Sequence, residues 1–413
     1  MIPSTLSAIP AVPARRLALQ VTPDALRQIR GGHPWVYADA ITSNSIPDAP
    51  PGSLGVVFDG KRNFAAIGLW DPASPIRLRV LHQGSPTQID PAFFEARIRD
   101  AALLRSGLIA QGTSGYRLLH GENDGFGGVI VDRYDETLVM KVYSEAWSPH
   151  LPAIVAALEQ VLEPLRIVIR FGRLFGEDMR SSLDLTEGQT IVGAPTDGPI
   201  EFTENHLRFE ADVVQGQKTG HFLDQRDNRR FVRDQSSGSR VLDCFSCTGG
   251  FSVHAAAGGA SSVHSVDLSR HAIASARRNM ALNEGRTGEA DHRATVGDAF
   301  EVLAELGAAG ESYDLIIVDP PSFASRASER DGAIRAYRKL AELSLPILRR
   351  GGRLLQASCS SRVTEVDLVA TIGAAIRSQG RFARDQRTFG HALDHPITFP
   401  QGGYLKAFTA TID

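Results

Sequence analysis

Cysteines are few in this chain, and long apolar runs are absent. Three cysteines in 413 residues cannot all pair, and a chain of this length needs no disulfides for stability, so a reducing cytoplasm is the expected compartment. The opening segment MIPSTLSAIPAVPARR has prolines where a signal peptide needs a continuous apolar core. No uninterrupted apolar stretch is long enough to span a bilayer. We therefore expect a soluble, cytoplasmic protein with no membrane partner.

The chain also lacks a large excess of charge of either sign, since it has 44 basic and 47 acidic residues. This balance excludes a global polycation, so any contact with nucleic acid must use local patches. There is no internal repeat and no low-complexity tract, which argues against a solenoid or a disordered arm. The sequence also lacks G-x-G-x-x-G and a Walker lysine, the usual signatures of pyrophosphate loops.

The length predicts two or three domains, and the pattern changes twice along the chain. Residues 15–85 contain short β-like runs separated by Gly, Pro and Asp, which predict a small β-barrel. Residues 90–200 begin with a predicted helix and continue with strands around a second helix, which indicates a compact α+β module. In residues 201–413 strands alternate with helices, the pattern of a doubly wound, mostly parallel sheet. The last two strands follow one another without a helix, so we expect them to pair antiparallel.

Three carboxylates fall at the ends of successive predicted strands in the last segment. Asp243 precedes a glycine-containing loop, 244–250. Asp267 ends the next strand, where an acid can accept hydrogen bonds from ribose hydroxyls, and Asp298 follows the third, where it can hold an adenine amine. Each acid alone fits a strand end or helix cap equally well. The ordered series favours a nucleoside cofactor.

The fourth strand is followed by Asp319-Pro320-Pro321-Ser322-Phe323. Two prolines fix the backbone and remove two donors, so the aspartate and the carbonyls are directed rigidly into a pocket that suits a planar base. A stiff turn is the structural alternative.

The fifth strand runs into Cys359. An unpaired cysteine is often a small buried hydrophobe, but it can also be a nucleophile. Cys244 and Cys247 form a C-x-x-C pair, the spacing of some redox and zinc sites. Zinc would need two further ligands, and a dithiol does not suit a loop that a nucleoside occupies, so no metal site is predicted.

Together these motifs carry a resemblance. VLDCFSCTGGFS, SVDLS, VGDAF, VDPPSF and ASCSS resemble class I S-adenosylmethionine-dependent methyltransferases. The stretch GQKTGHFLDQRDNRR, 216–230, resembles the bacterial 23S ribosomal RNA cytosine-5 methyltransferase I family. RGGHPWVYADAI, 30–41, is similar to that family's PUA opening, and HGENDGFGGVIVDRYDE, 120–136, to its central module. The resemblance implies a multidomain α/β protein: a PUA-like barrel, a central α+β module and a Rossmann-like methyltransferase domain with a mostly parallel seven-stranded sheet.

The resemblance implies S-adenosylmethionine as cofactor, ribosomal RNA as partner, and a homodimer. The residues it assigns to the cofactor are Phe222, Gln225, Asn228, Arg229, Asp243, Phe245, Ser246, Thr248, Gly249, Asp267, Leu268, Asp298 and Ala299. The residues assigned to RNA are Lys218, Pro320, Pro321, Phe323, His33 and Trp35. For the last two, packing in the barrel core is the alternative.

The chemistry implied for a cytosine needs a thiolate. Carbon 5 of cytosine is a poor nucleophile until a thiolate adds to C6, a step that Cys359 would perform. Asp319 would contact the N3 or N4 edge of the base and favour its protonated, electrophilic form, and Arg362 is a candidate for lowering the thiol pKa. Some RNA cytosine methyltransferases have a second cysteine at the position of Pro321, so here water or Asp319 must take over its step.

Two alternatives remain at this stage. The D-P-P-S-F motif could clamp an exocyclic amine for N-methylation, which would make Cys359 dispensable. The protein could instead be a non-catalytic RNA-binding factor for ribosome assembly. Four intact acids, Asp243, Asp267, Asp298 and Asp319, argue against a decayed cofactor site.

Overall fold

The computed structural model describes residues 4–173 and 175–413. The chain divides into two compact units. The first unit comprises Met1–Thr203, Ala211–His221 and Leu393–Gly402, and the second comprises Glu204–Glu210, Phe222–Ala392 and Gly403–Asp413. Within the described residues we find no helix long and apolar enough to cross a bilayer.

The first unit begins with six strands and one helix. These are β1 (Leu17–Val21), β2 (Trp35–Tyr37), β3 (Ile41–Asn44), β4 (Leu54–Phe58), β5 (Phe64–Trp70), β6 (Ile76–Gln83) and α1 (Pro23–Arg30). They form one sheet in the order β2-β6-β5-β4-β1-β3. The apolar pattern predicts β1, β4, β5 and β6, whereas β2 and β3 are too short for a clear pattern.

A second sheet in the first unit lies in the order β11-β10-β9-β8-β7. Its strands are β7 (Gly115–His120), β8 (Val129–Tyr134), β9 (Thr137–Val142), β10 (Arg166–Phe171) and β11 (Thr190–Val192); the helices are α2 (Pro91–Arg105), α3 (Gly107–Ala110), α4 (Leu151–Leu162) and α5 (Glu177–Ser182). Helix α2 begins where predicted, because the Asp90 carboxylate accepts a hydrogen bond from the Phe93 amide at 2.9 Å. Pro91, at the first helical position, has no backbone N–H that would need an acceptor.

Strands β12 (Ile200–Glu204) and β13 (Leu207–Ala211) come next along the chain, and the second unit then alternates strands and helices. Its strands are β14 (Arg240–Cys244), β15 (Ser262–Asp267), β16 (Asp291–Val296), β17 (Tyr313–Val318), β18 (Leu348–Ser358), β19 (Ala383–Phe389) and β20 (Lys406–Ile412). Its helices are α6 (Arg226–Asp234), α7 (Gly250–Ala257), α8 (Arg270–Ala281), α9 (Glu284–Thr287), α10 (Ala299–Ala308), α11 (Arg330–Ser344) and α12 (Glu365–Ser378).

The seven strands of the second unit form one sheet in the order β16-β15-β14-β17-β18-β20-β19. The first five are parallel, and β20 is antiparallel to both of its neighbours, as the missing final helix predicts. The apolar pattern after the fourth strand predicts a long helix that ends near Arg350. This boundary is wrong, since α11 ends at Ser344 and β18 begins at Leu348, because Pro346 lacks the donor that further helical turns need.

Candidate active site

The carboxyl ends of β14, β15, β17 and β18 bring the predicted residues to one edge of the sheet. Asp243 and Asp267 lie among the last two residues of their strands. Asp319 and Cys359 immediately follow theirs. Cys244 pairs with Val318, and Val318 pairs with Gln356, so these strand ends lie side by side. This edge is where ligands bind in open parallel sheets.

The loop after β14 is strained. Phe245 and Cys247 have positive φ values of 62° and 48°, which non-glycine residues rarely adopt. Gly249 also has a positive φ of 79°, and a Cβ there would lie 2.9 Å from the Cβ of Ala276 on α8. Glycine therefore permits close packing of α7 against α8. Strained backbone of this kind concentrates at functional loops.

Asp243 is completely buried, and its two carboxylate oxygens have different surroundings. Ser252 donates to Oδ2 at 2.6 Å, while Oδ1 has no hydrogen-bond partner among the described residues. Burial raises the pKa of Asp243 to about 7, and the negative charges of Asp319 and Asp267 act in the same direction against the Ser252 hydrogen bonds. Half of this carboxylate is left for a positively charged or donating ligand.

Two more buried atoms lack partners. Within the part of the chain that the structure describes, nothing donates to Oδ1 of Asn228, and Oγ of Ser246 has no hydrogen bond. Both side chains are at least nine-tenths buried. Because buried polar atoms are nearly always satisfied in folded proteins, these atoms are candidates for hydrogen bonds to a bound ligand.

Asp267 and Asp298 are held differently. Asp267 accepts the backbone amides of Cys247 at 2.9 Å and Ser269 at 2.8 Å, one on each oxygen, which orients its carboxylate. Asp298 caps α10, because its carboxylate accepts a hydrogen bond from the Phe300 amide at 2.8 Å; this is the helix-cap role that the sequence left open for each acid. Ala299 is buried at the start of that helix.

Exposed apolar side chains flank these two acids. Leu268 is 72% exposed and Val296 is 42% exposed. Large exposed apolar groups beside this sheet edge suit a flat, apolar ring such as adenine. The resemblance assigned Leu268 to the cofactor and did not include Val296, which reads as an ordinary strand residue.

The residues from Phe222 to Arg229 have roles that sequence reasoning did not separate. Gln225 donates to Asp319 at 2.9 Å, and Asn228 donates to the Gln225 side-chain oxygen at 2.5 Å. Arg229 forms a buried, bidentate pair with Glu204 at 2.6 Å and donates to the Phe222 carbonyl at 2.9 Å. Gln225 therefore orients Asp319, and Arg229 orients the Phe222 backbone.

Cys359 is partly exposed, unlike the fully buried Cys244. The loop that carries Cys359 is tied to the loop after β17, because Ser360 donates to the Ala324 carbonyl at 2.8 Å. Ser358 donates to the Tyr337 hydroxyl at 2.8 Å. Burial raises the pKa of Tyr337 to about 12, and charge on Cys359 and Asp319 adds to this effect, so both groups lie near the tyrosine.

The other two cysteines are poor nucleophiles. Burial raises the pKa of Cys247 to about 11, helped by the charge of Asp267, and it raises the pKa of the Cys244 thiol well above its usual range. Both thiols are protonated at neutral pH, and a thiolate is the reactive form. No cluster of three metal-binding side chains occurs in residues 4–173 and 175–413.

The residues assigned to RNA fall in both units. In the second unit Pro320 is buried, Pro321 is exposed, and the ring of Phe323 lies 5.2 Å from that of Tyr337. Lys218, His33 and Trp35 belong to the first unit. Lys218 is exposed.

His33 and Trp35 are both partly buried in the first unit. The indole of Trp35 donates to Glu122 at 2.9 Å. The ring of Phe399 lies 5.2 Å from that of Trp35 and 6.0 Å from that of His33. These contacts give both side chains a packing role within the first unit.

Comparison with protein families accounts for this arrangement. A model of the S-adenosylmethionine-dependent methyltransferases matches residues 117–381, and a model of the PUA-like domain matches residues 19–83. The chain belongs to the S-adenosylmethionine-dependent methyltransferase family. The expected cofactor is thereby confirmed, and so is the expected fold class of a PUA-like domain with a class I methyltransferase fold.

Relatives of this methyltransferase extend over its whole length. A protein from Deinococcus radiodurans named ribosomal RNA large subunit methyltransferase is 48% identical and covers 98% of this chain and 99% of its own. Ribosomal RNA large subunit methyltransferase I from Salmonella arizonae is 36% identical over 92% of this chain and 94% of its own. The resemblance to the large-subunit methyltransferase I family is confirmed.

A solved structure from Streptococcus mutans, described as a candidate S-adenosylmethionine-dependent methyltransferase, has the same fold. Its TM-score is 0.78 at 23% identity, covering 95% of this chain and 99% of that one.

The residues at the sheet edge of the methyltransferase fit its cofactor. The half-satisfied carboxylate of Asp243 and the orphan oxygens of Asn228 and Ser246 suit an amino-acid group with an ammonium. Asp267 suits ribose hydroxyls, and exposed Leu268 suits the adenine ring.

Proposed function

We propose that this methyltransferase forms 5-methylcytosine in the RNA of the large ribosomal subunit, through a covalent adduct with Cys359. The observation that carries the proposal is a partly exposed thiol on the same sheet edge as Asp319 and the cofactor loop. The names of the relatives support large-subunit RNA as the substrate.

The proposed reaction begins with a base flipped out of the RNA so that its ring can enter the site. The Cys359 sulfur bonds to C6, and the electron pair of the C5–C6 double bond becomes available at C5. The bound cofactor supplies the methyl group, which C5 accepts. Loss of the C5 proton and cleavage of the C6–S bond then restore the double bond and the thiolate, with water or Asp319 taking the proton.

Asp319 has the second role in this proposal. Its Oδ1 accepts a hydrogen bond from Gln225, which fixes the orientation of the carboxylate at the carboxyl end of β17. A carboxylate at the N3 edge favours the protonated ring, which is the better electrophile at C6. Gln225 and Asn228 would act by keeping this carboxylate in one orientation.

Nucleoside mass spectrometry of ribosomal RNA tests the proposal in a strain that lacks the protein. We expect 5-methylcytidine to fall, wild type to restore it, and Cys359→Ala to restore none. Ser361→Ala is the matched control, because Ser361 is an exposed neighbour two positions away. Full restoration by Cys359→Ala would rule out the adduct, and loss of an N-methylated base instead would favour exocyclic-amine methylation.

A trapping experiment tests the adduct directly. RNA containing 5-fluorocytosine cannot lose fluorine from C5 to a base, so the covalent complex persists. We expect a stable protein–RNA band with wild type and none with Cys359→Ala at equal cofactor and RNA concentrations. An equally strong band with both proteins would contradict the role of this sulfur.

A further inference from the structure

Lys406 lies next to the loop that carries Cys359. Strand β20 is antiparallel to β18, and Lys406 pairs directly with Ser358, the residue before the cysteine. The Lys406 ammonium donates to the Ser360 carbonyl, on the other side of the cysteine, and to the Tyr404 carbonyl at 2.8 Å. The positive charge is therefore held against the backbone that presents the thiol.

The surroundings of Lys406 are unusual for a lysine, because its side chain is only 7% exposed. Both of its hydrogen bonds go to neutral carbonyls, and in the described part of the chain no carboxylate forms an ion pair with it. Burial lowers the pKa of Lys406 to about 8, while negative charge on Cys359 and then on Asp367 raises it. Lys406 is therefore mostly in its ammonium form at neutral pH, and the charge of Cys359 is the largest electrostatic contribution that favours this form.

Other groups near this loop are poorer candidates for the supporting cation. Asp319 is an acid, whose negative charge would oppose a thiolate, and Tyr337 is uncharged at neutral pH because its pKa is raised to about 12. Arg330 is already paired with Asp367 at 2.6 Å. Arg362, the cation expected from the sequence to lower the thiol pKa, has an exposed side chain.

We propose that Lys406 is a positioning residue for Cys359, which stabilises the thiolate and holds it ready to attack the substrate. Coupling between two ionisable groups is reciprocal, so a lysine stabilised by a thiolate stabilises that thiolate equally. The thiol proton leaves to solvent water, and no other group changes its bonding. The inference rests on the proposed function only for the reaction that the thiolate performs.

The test is the pH dependence of Cys359 alkylation by iodoacetamide, followed by mass spectrometry of the peptide that contains it. Lys406→Met should raise the apparent thiol pKa by about one unit and slow alkylation at pH 7 about tenfold, and Lys406→Arg should restore most of the rate. Arg362→Met, the matched removal of an exposed cation, should leave the profile unchanged. An unshifted profile in folded Lys406→Met would overturn the proposal.

A second measurement does not depend on the folding of a Lys406 variant. Competitive acetylation reports the neutral fraction of the Lys406 amine in wild type and in Cys359→Ser. Without a thiolate the lysine pKa should fall, so acetylation at pH 7, where most of the amine is protonated in wild type, should rise several-fold. Equal acetylation in the two proteins would also overturn the proposal.

These readouts separate the inference from the proposed function, since neither uses RNA. A shifted alkylation profile together with undiminished 5-methylcytidine from Cys359→Ala would support Lys406 and refute the adduct. An unshifted alkylation profile together with loss of 5-methylcytidine in Cys359→Ala would refute the role of Lys406 and support the adduct.

Discussion

The buried ion pair of Arg105 and Asp124 in the first unit is satisfied within the chain, whereas one region of the second unit keeps incomplete polar groups. The Arg105 guanidinium is fully buried; it donates to both oxygens of Asp124, at 3.1 and 2.6 Å, and to three backbone carbonyls. At the sheet edge of the second unit, by contrast, Asp243, Asn228 and Ser246 each keep a buried atom that has no partner among the described residues.

The difference teaches how to distinguish structural from ligand-binding polar groups. Both regions bear the cost of removing polar atoms from water. The pair of Arg105 and Asp124 recovers that cost within the chain, as Arg117 and Asp132 do with a bidentate pair at 2.7 and 2.9 Å. The edge around Asp243 does not recover it from the described residues. Stability is thus expected to depend on the first set, and affinity on the second.

The largest expected effect is on stability. Asp124→Asn leaves the buried Arg105 charge without its counter-ion, so the free energy of unfolding should fall by about 3–5 kcal/mol, measured by urea denaturation. Glu95→Gln is the matched control, since the Arg99–Glu95 pair is partly exposed and surface pairs of this kind contribute about 0.5 kcal/mol. Equal losses from the two variants would refute the distinction between buried and exposed pairs.

The second effect is on cofactor affinity. Asp243→Asn removes the buried charge with little change of volume, so the affinity for S-adenosylhomocysteine should fall about a hundredfold in calorimetry, as when one partner of a buried charge pair is lost. Stability at pH 8 should not fall, because the cost of burying the carboxylate disappears. Asp291→Asn, at an exposed acid, should change neither quantity. Unchanged affinity in Asp243→Asn would show that the orphan oxygen has another purpose.

The smallest effect is a pH dependence of binding. Since the pKa of Asp243 is raised to about 7, the carboxyl is protonated and neutral at pH 6, and affinity should be about tenfold lower there than at pH 8. The unfolded chain releases this proton near pH 4, so the contribution of Asp243 to stability falls as pH rises from about 4 through 7. Asp243→Asn should abolish the difference in cofactor affinity between pH 6 and pH 8. If affinity changes equally with pH in both proteins, another group is responsible for the change.

Local patterns predicted much of the second unit. Asp243, Asp267, Asp319 and Cys359 were expected at strand ends, because buried β-like runs followed by Gly or Pro mark where parallel strands stop, and the structure has them there. Asp298 also fell where expected, but its carboxylate caps α10. The hydrogen bond from Gln225 to Asp319 could not be predicted, because it joins residues 94 apart in the chain.

The cation next to Cys359 shows the same limit. Arg362 was the natural expectation because it is three residues away, yet its side chain is exposed, whereas Lys406 reaches the loop from another strand. Antiparallel pairing of β18 with β20 creates this proximity. A sequence pattern cannot predict it without the strand order.

The sequence alone determined most of the order of strands and helices and the residues at the carboxyl edge of the sheet, because hydrophobic periodicity and turn residues act over a few neighbouring positions. Its quoted motifs pointed to the family by resemblance. Only the tertiary structure decided which polar atoms are paired, which keep no partner among the described residues, and which cation lies beside the loop of Cys359. The physical reason is that hydrogen bonds and charge contacts depend on distance in space, and these partners come from segments far apart in the chain.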